Sequence, residues 1–184
     1  MTTEKIKAQD FSSQDIEARV EWINNPSINS TMFFDLPATV EDTTKWYKRI
    51  ITNENRADFS FFLDKENTLI GMGGLTGIDS KSKNAEFYVM INPDYHSRGY
   101  GKRISQWLFN YAFLKFDLHK LYLHTNNDNV YAYKIYEDSG FVLEGILRQH
   151  KIKNGFYLDR RFYGLLQKEW EDMPWKENQI QTVF

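Results

Sequence analysis

The chain has no cysteine among its 184 residues, an absence that removes disulfides, thiolate zinc sites and any acyl-cysteine route at once. It has no surplus of one charge either. Charged residues make up 26% and balance to a formal net charge of -2, so no global basic field gathers nucleic acid and any anion must be bound locally. No hydrophobic run opens the chain and no stretch reaches membrane-spanning length, from which a cytoplasmic protein with no membrane partner is expected. There is no internal repeat, low-complexity tract or linker, which leaves residues 1–184 as one expected domain with 171–184 as a peripheral tail. His, Asp and Glu nowhere cluster at ligand spacing. His119 and His124, five apart on one expected strand, face opposite sides, and no metal is expected.

What is present is aromatic and periodic. Aromatic residues reach 16% and are spread through every element, as a Tyr- and Phe-rich core requires. An edge strand is expected near Lys5 to Ala8. A helix capped by Ser12 or Ser13 follows, with Ile16, Val20 and Ile23 on one face and Asn25-Pro26 at its end. The loop Ser30 to Pro37 carries Met32, Phe33, Phe34 and Leu36, which either plug the core or line a pocket. Thr39 caps a second helix whose buried side is Trp46, Tyr47 and Ile50. Strands are read at Asp58 to Leu63 and Thr68 to Ile78, the latter weakened by Gly71, Gly73 and Gly74 unless a bulge or close neighbour needs them. Later strands are read at Lys120 to Thr125, Phe141 to Lys151 and Phe156 to Leu166, the last two joined by Lys153-Asn154-Gly155, a strong hairpin signal. The order β, α, α, β, β, β, α, β, α, β, β is that of a mixed α/β sheet in one domain.

The most informative stretch runs from Ala85 to Lys102. Phe87 to Ile91 suits a buried strand, Asn92-Pro93-Asp94 stops it, and Arg98-Gly99-Tyr100-Gly101 supplies a loop in which two residues lack Cβ. Ile104, Trp107, Leu108 and Tyr111 then mark an amphipathic helix. A strand, a glycine loop and a helix N-terminus together collect unpaired N–H groups and a positive dipole end, which favours a phosphate or pyrophosphate. Arg98, Lys102 and Arg103 add mobile positive charge beside it. A Walker loop would need Gly at 96 and Ser or Thr at 103, where the chain has His96 and Arg103. A dinucleotide fingerprint from Gly99 would need Gly or Ala at 104, and Ile104 is there. The alternative is a plain strand-to-helix turn.

The loop Arg98-Gly99-Tyr100-Gly101, the strand ending Ile-Asn-Pro ahead of it, and Asn129-x-x-Ala132-x-x-x-Tyr136-x-x-x-Gly140-Phe141 after it resemble the GNAT superfamily of acyl-CoA-dependent N-acyltransferases. Glu86 and Gly155-x-Tyr157-x-Asp159 are similar to its RimJ/RimL-type branch. The resemblance implies a mostly antiparallel sheet flanked by helices and splayed between its two central strands, and it implies acetyl-CoA as acyl donor. Pantetheine would pair with the main chain of Val89, Met90 and Ile91. The diphosphate would lie against His96, Ser97, Arg98, Gly99, Tyr100, Gly101, Lys102 and Arg103, where His96 replaces the family's usual Gln or Arg. Asn129 and Tyr136 would touch the arm from the other side, Asn129 being a helix N-cap as well.

Acetyl transfer to an amine needs a proton acceptor, a donor for the oxygen that gathers charge, and a proton for the departing thiolate. Glu86 is the expected base, with a pKa raised by burial; His124 or a water molecule is the alternative. A backbone N–H near Val89 to Met90 is the expected oxyanion donor, and Tyr136 the expected acid. Phe33, Phe34, Glu86 and Arg148 are the expected acceptor contacts. The resemblance implies direct attack in a ternary complex on a small-molecule amine such as an amino sugar or a polyamine. A protein N-terminal acetyltransferase and a non-catalytic acyl-CoA-binding module are the alternatives, and a homodimer is a common arrangement among such relatives.

Overall fold

The computed structural model describes residues 4–177 and 180–182. The chain opens with β1 (Ile6–Asp10), in which Ile6 and Ala8 alternate into the core. Ser12 and Asp15 form a capping box, the Ser12 amide donating to Asp15 Oδ2 at 2.8 Å, around a single 3-10 turn that leads into α1 (Ile16–Asn24). Asn25 caps α2 (Pro26–Asn29), a short helix that the Asn-Pro pair had marked only as an ending. Pro26 suits its first turn, where no N–H is needed. Thr39 caps α3 (Val40–Ile50), whose Trp46, Tyr47 and Ile50 pack on the smaller of two core clusters.

Three antiparallel strands follow, β2 (Arg56–Leu63), β3 (Thr68–Asp79) and β4 (Asn84–Ile91). Among the four β3 glycines, Gly73 and Gly74 have a plain steric reason, a Cβ on Gly73 standing 2.8 Å from the Tyr88 carbonyl oxygen. A Cβ on Gly74 would stand 1.9 Å from the Ala57 carbonyl oxygen. Helix α4 (Tyr100–Phe116) lies across β3 and β4 and buries Ile104, Leu108, Phe109 and Ala112. Trp107 meets Phe59 and Phe61 edge-on, with centroids 5.1 and 5.4 Å apart, a geometry favoured by the ring quadrupoles.

The second half holds β5 (Lys120–Asn126), α5 (Val130–Glu137), β6 (Val142–Lys153) and β7 (Phe156–Leu166). Asn154 and Gly155 take φ of 50° and 82°, the left-handed pair that a two-residue hairpin needs. Then come α6 (Gln167–Glu171) and the short β8 (Gln181–Thr182). The eight strands among the described residues form one sheet in the order β6-β7-β5-β4-β3-β2-β1-β8. The fold is a single α/β domain with a mostly antiparallel sheet, as expected.

The segment after α6 is not peripheral. Trp170, within α6 just ahead of it, is buried and stacked on Phe113 at 5.0 Å, and its indole N–H donates to Asn110 Oδ1 at 2.8 Å. Trp175 meets Phe109, Ile180 is buried, and β8 adds itself in parallel to β1. The polar character of 171–184 concealed this, because a few large apolar anchors suffice to hold an otherwise hydrophilic strap.

Candidate active site

The sheet opens at its centre. Strands β4 and β5 run parallel but pair only at Asn84 with Lys120, Ala85 with Leu121 and Glu86 with Tyr122. Beyond Glu86 they separate, and the gap is part of a cleft of about 600 Å³. Its walls include Glu86 to Ile91 on one side and Leu123 to Thr125, Asn129, Ala132 and Tyr136 on the other.

The backbone groups that face the gap follow from the β3–β4 ladder. The Asn92 amide donates to the Ile70 carbonyl at 3.0 Å, and opposite pairs in an antiparallel ladder alternate between bonded and non-bonded. With Met90 opposite Met72 and Tyr88 opposite Gly74, the main chain of Met90 and Tyr88 turns towards β3. That of Phe87, Val89 and Ile91 turns into the gap. This corrects the expectation that Met90 offers its main chain to the acyl donor. Val89 does. The Ile91 carbonyl has a partner already, since His96 Nε2 lies 2.9 Å from it. The histidine thus ties the loop back onto the strand end.

Below the gap the glycine loop has the geometry of an anion cradle. Gly99 is the N-cap of α4 with φ of 81°, no side chain caps the helix, and its first main-chain bond is from the Arg103 amide to the Gly99 carbonyl at 3.3 Å. The amides ahead of Arg103 are left for an external acceptor. His96, Ser97, Gly99 and Gly101 line the cleft. The neighbouring cations behave differently from the expectation of mobile charge. Arg98 covers the Tyr95 ring at 4.9 Å, Lys102 pairs with Asp138 at 3.5 Å, and Arg103 donates to the Glu4 carbonyl at 2.8 Å. The Tyr100 ring is buried, with its hydroxyl on Glu4, so this residue can offer a ligand only its backbone.

Strand parity separates the remaining groups. Glu86 and Tyr88 point to the α1/α3 side, where Tyr88 donates to Asp58, itself held by Arg56 through contacts of 2.8 and 3.1 Å. Phe87 points to the α4 side and meets Tyr136 edge-on at 5.9 Å. Glu86 and Tyr136 therefore reach the same cleft from opposite faces of the sheet. Tyr136 Oη has no hydrogen-bond partner among the described residues, and burial pushes its phenol up, so it is a protonated donor. Asn129 caps α5, its Oδ1 accepting from the Ala132 amide at 3.2 Å.

His124 is the residue the sequence placed only as an alternative. Its Nδ1 lies 2.7 Å from Glu86 Oε1. The expected rise of the Glu86 pKa is overturned: the hydrogen bond from His124 holds the carboxyl below its ordinary range, and burial opposes this less strongly. His119 lies just before β5, not on it. Phe33 and Phe34 line the cleft, whereas Arg148 is exposed on β6 and does not. Two cations that sequence reading missed, Lys151 and Arg160, do line it. Their only early sign was strand parity: Arg160 pairs with Asn126 and so shares the face of His124. Among the described residues no group of three or more His, Asp or Glu could hold a metal, and no helix is long and apolar enough to cross a membrane.

A sheet splayed beside an uncapped glycine-loop helix, with Tyr136 facing the gap, is the architecture of acyl-CoA-dependent N-acetyltransferases. Residues 8–142 match the profile described as an acetyltransferase (GNAT) domain, and the chain belongs to that family. Among its relatives are the spermidine N(1)-acetyltransferases of Vibrio cholerae serotype O1 and of Escherichia coli K12. The first is 32% identical over 147 residues, 79% of this chain and 84% of that protein. The second is 27% identical over 152 residues, 83% of this chain and 81% of that protein. The crystal structure of spermidine N-acetyltransferase from Vibrio cholerae in complex with CoA and spermine superposes with a TM-score of 0.86, at 27% identity over 91% of this chain and 99% of that one. The chain is an acetyl-CoA-dependent N-acetyltransferase.

Proposed function

We propose that the chain acetylates a small-molecule primary amine in a ternary complex, with His124, oriented by Glu86, taking the proton and Tyr136 giving one. The observation that carries this reading is the Glu86–His124 contact of 2.7 Å at the edge of the splay. Acetyl-CoA supplies the activated acetyl group, whose carbonyl carbon gains the amine nitrogen as its bond to sulfur breaks. The amides between Gly99 and Arg103 hold the diphosphate, and the main chain of Val89 holds the pantetheine arm. The Val89 N–H faces the gap and stabilises the oxygen that gathers negative charge. With the carboxylate of Glu86 accepting from Nδ1–H, Nε2 of His124 is left to take a proton from the acceptor's ammonium, which frees the amine lone pair that attacks. The Tyr136 hydroxyl, without an internal partner, protonates the departing sulfur.

Spermidine, the acceptor named for the relatives, is a small-molecule amine of this class. The RimJ/RimL-type features carry less weight as acceptor markers, because Gly155 forms the hairpin turn and Asp159 Oδ1 is engaged by the Gln149 amide at 2.8 Å. The test is thiol release from acetyl-CoA over a panel of spermidine, amino sugars and peptides with free N-termini. Turnover with a small amine, reduced by about 100-fold or more in His124→Gln, is expected. Turnover restricted to peptide N-termini would overturn the reading.

A further inference from the structure

Three cations converge on one ring at the acceptor end of the cleft. Arg160, Lys153 and Lys151 lie 5.3, 5.5 and 6.0 Å from the centroid of Phe33. Arg160 donates through one terminal nitrogen to the His124 carbonyl at 3.0 Å, which places it beside the reacting amine rather than at the glycine loop. Its Nε is buried and has no hydrogen-bond partner among the described residues. A guanidinium normally uses its Nε–H and one terminal N–H as a fork for two oxygens of one anion, and an unpaired buried donor is costly to leave unmet. Lys153 is anchored on the Met32 carbonyl at 2.8 Å, which fixes the aromatic loop against the β6–β7 hairpin.

Carboxylates balance this charge only in part: Asp128 acts on Lys153, and the single carboxylate of Glu86 is shared between Arg160 and Lys151. Glu86 is the one acidic residue among those described as lining the cleft, and it is engaged by His124. A polyamine carries several ammonium groups and would have to place them against Arg160 and Lys151 well inside a screening length of about 8 Å. An amine with an anionic group on its far side meets the opposite situation, a positive wall with an aromatic floor.

Resting on the reading of this cleft as the acceptor site of an N-acetyltransferase, we propose that the acceptor is a primary amine bearing an oxyanion, phosphate or carboxylate. Arg160 and Lys151 bind that group, and Phe33 packs against the body of the molecule. The relatives' polycationic acceptor is the wrong sign for this pocket.

Matched acceptors test this. Glucosamine 6-phosphate and muramic acid each add one anion, a phosphate or a carboxylate, to glucosamine, while spermidine adds positive charge. At least one of the two anionic sugars is expected to exceed both glucosamine and spermidine in kcat/KM by tenfold or more, and which one does so identifies the oxyanion. Arg160→Gln and the exposed-site variant Lys151→Gln are each expected to shrink that preference several-fold, and Arg160→Lys to restore part of it. Equal rates for all three sugars, a preference for spermidine, or a preference unchanged in both Gln variants would overturn the proposal. If no amine is turned over, the catalytic reading fails separately. Calorimetric titration of glucosamine 6-phosphate and muramic acid into the CoA-loaded protein then still decides. Binding of either that weakens tenfold in Arg160→Gln or Lys151→Gln upholds the oxyanion site, and absent or unaltered binding refutes it.

Discussion

Glu86 and His124 form one unit, Oε1 to Nδ1 at 2.7 Å across the two strands that part immediately beyond Glu86 and Tyr122. The carboxylate is the fixed member, since its pKa is depressed by that hydrogen bond, and the imidazole has the free nitrogen. His124→Gln is expected to lower kcat by about 100-fold or more, and Glu86→Gln by less, with acetyl-CoA affinity unchanged in both. The linkage has a definite sign. A carboxyl whose folded pKa lies below its ordinary value of 4.5 adds stability that is present above 4.5 and lost as pH falls through the folded value. Acid titrations of unfolding should therefore show a shallower decline in Glu86→Gln than in the parent chain.

Tyr136 stands on the other face of the sheet with no internal partner for its hydroxyl. Tyr136→Phe keeps the ring against Phe87 and Phe141 and removes only the donor. Steady-state kinetics should show kcat down by about 100-fold with little change in KM for acetyl-CoA. Unchanged kcat would take this residue out of the reaction.

The glycine loop separates conformational demand from space. Gly99 has φ of 81° with nothing near its missing Cβ, whereas a Cβ on Gly101 would make ordinary contact with Ile91 Cγ1 at 3.5 Å. Gly99→Ala is expected to destabilise the fold by about 1–2 kcal/mol through left-handed strain and to weaken CoA binding measured by titration. Gly101→Ala should leave thermal stability intact, so any loss of CoA affinity there reports a blocked approach.

Helix α6, from which the C-terminal strap leaves, contributes to the core. Trp170→Ala removes the stack on Phe113 and the bond to Asn110, and denaturant unfolding should show a loss of about 3–5 kcal/mol. A variant with unchanged midpoint would mean that the α6 anchor is dispensable.

Burial raises the phenols of Tyr88 and Tyr136 above their ordinary value of 10.0. The unfolded chain then releases protons first, and stability should fall as pH rises past about 10. Tyr136→Phe is expected to flatten that alkaline decline in thermal melts, and Tyr88→Phe to do so while leaving Asp58 hydrogen-bonded by Arg56.

Much of this molecule was readable in order along the chain. The strand from Phe87 to Ile91, the breaker at Pro93, the glycines at 99 and 101 and the stripe from Ile104 are local signals, because helix stripes, caps and turns depend on neighbours a few residues away. The same is true of Asn154-Gly155 and of the caps at Ser12, Thr39 and Asn129. Those signals determined the order of elements from β1 to β7, α2 excepted, the place of the glycine loop and the family. What they could not decide was which atoms meet across strands. Whether Met90 or Val89 offers its main chain depends on which ladder pair is bonded. The union of Glu86 with His124 spans 38 residues of sequence, and the gathering of Lys151, Lys153 and Arg160 on Phe33 depends on the register of a distant hairpin. A strand's period of two leaves one bit, the face, to be fixed by its partners, and only the closed sheet supplies them.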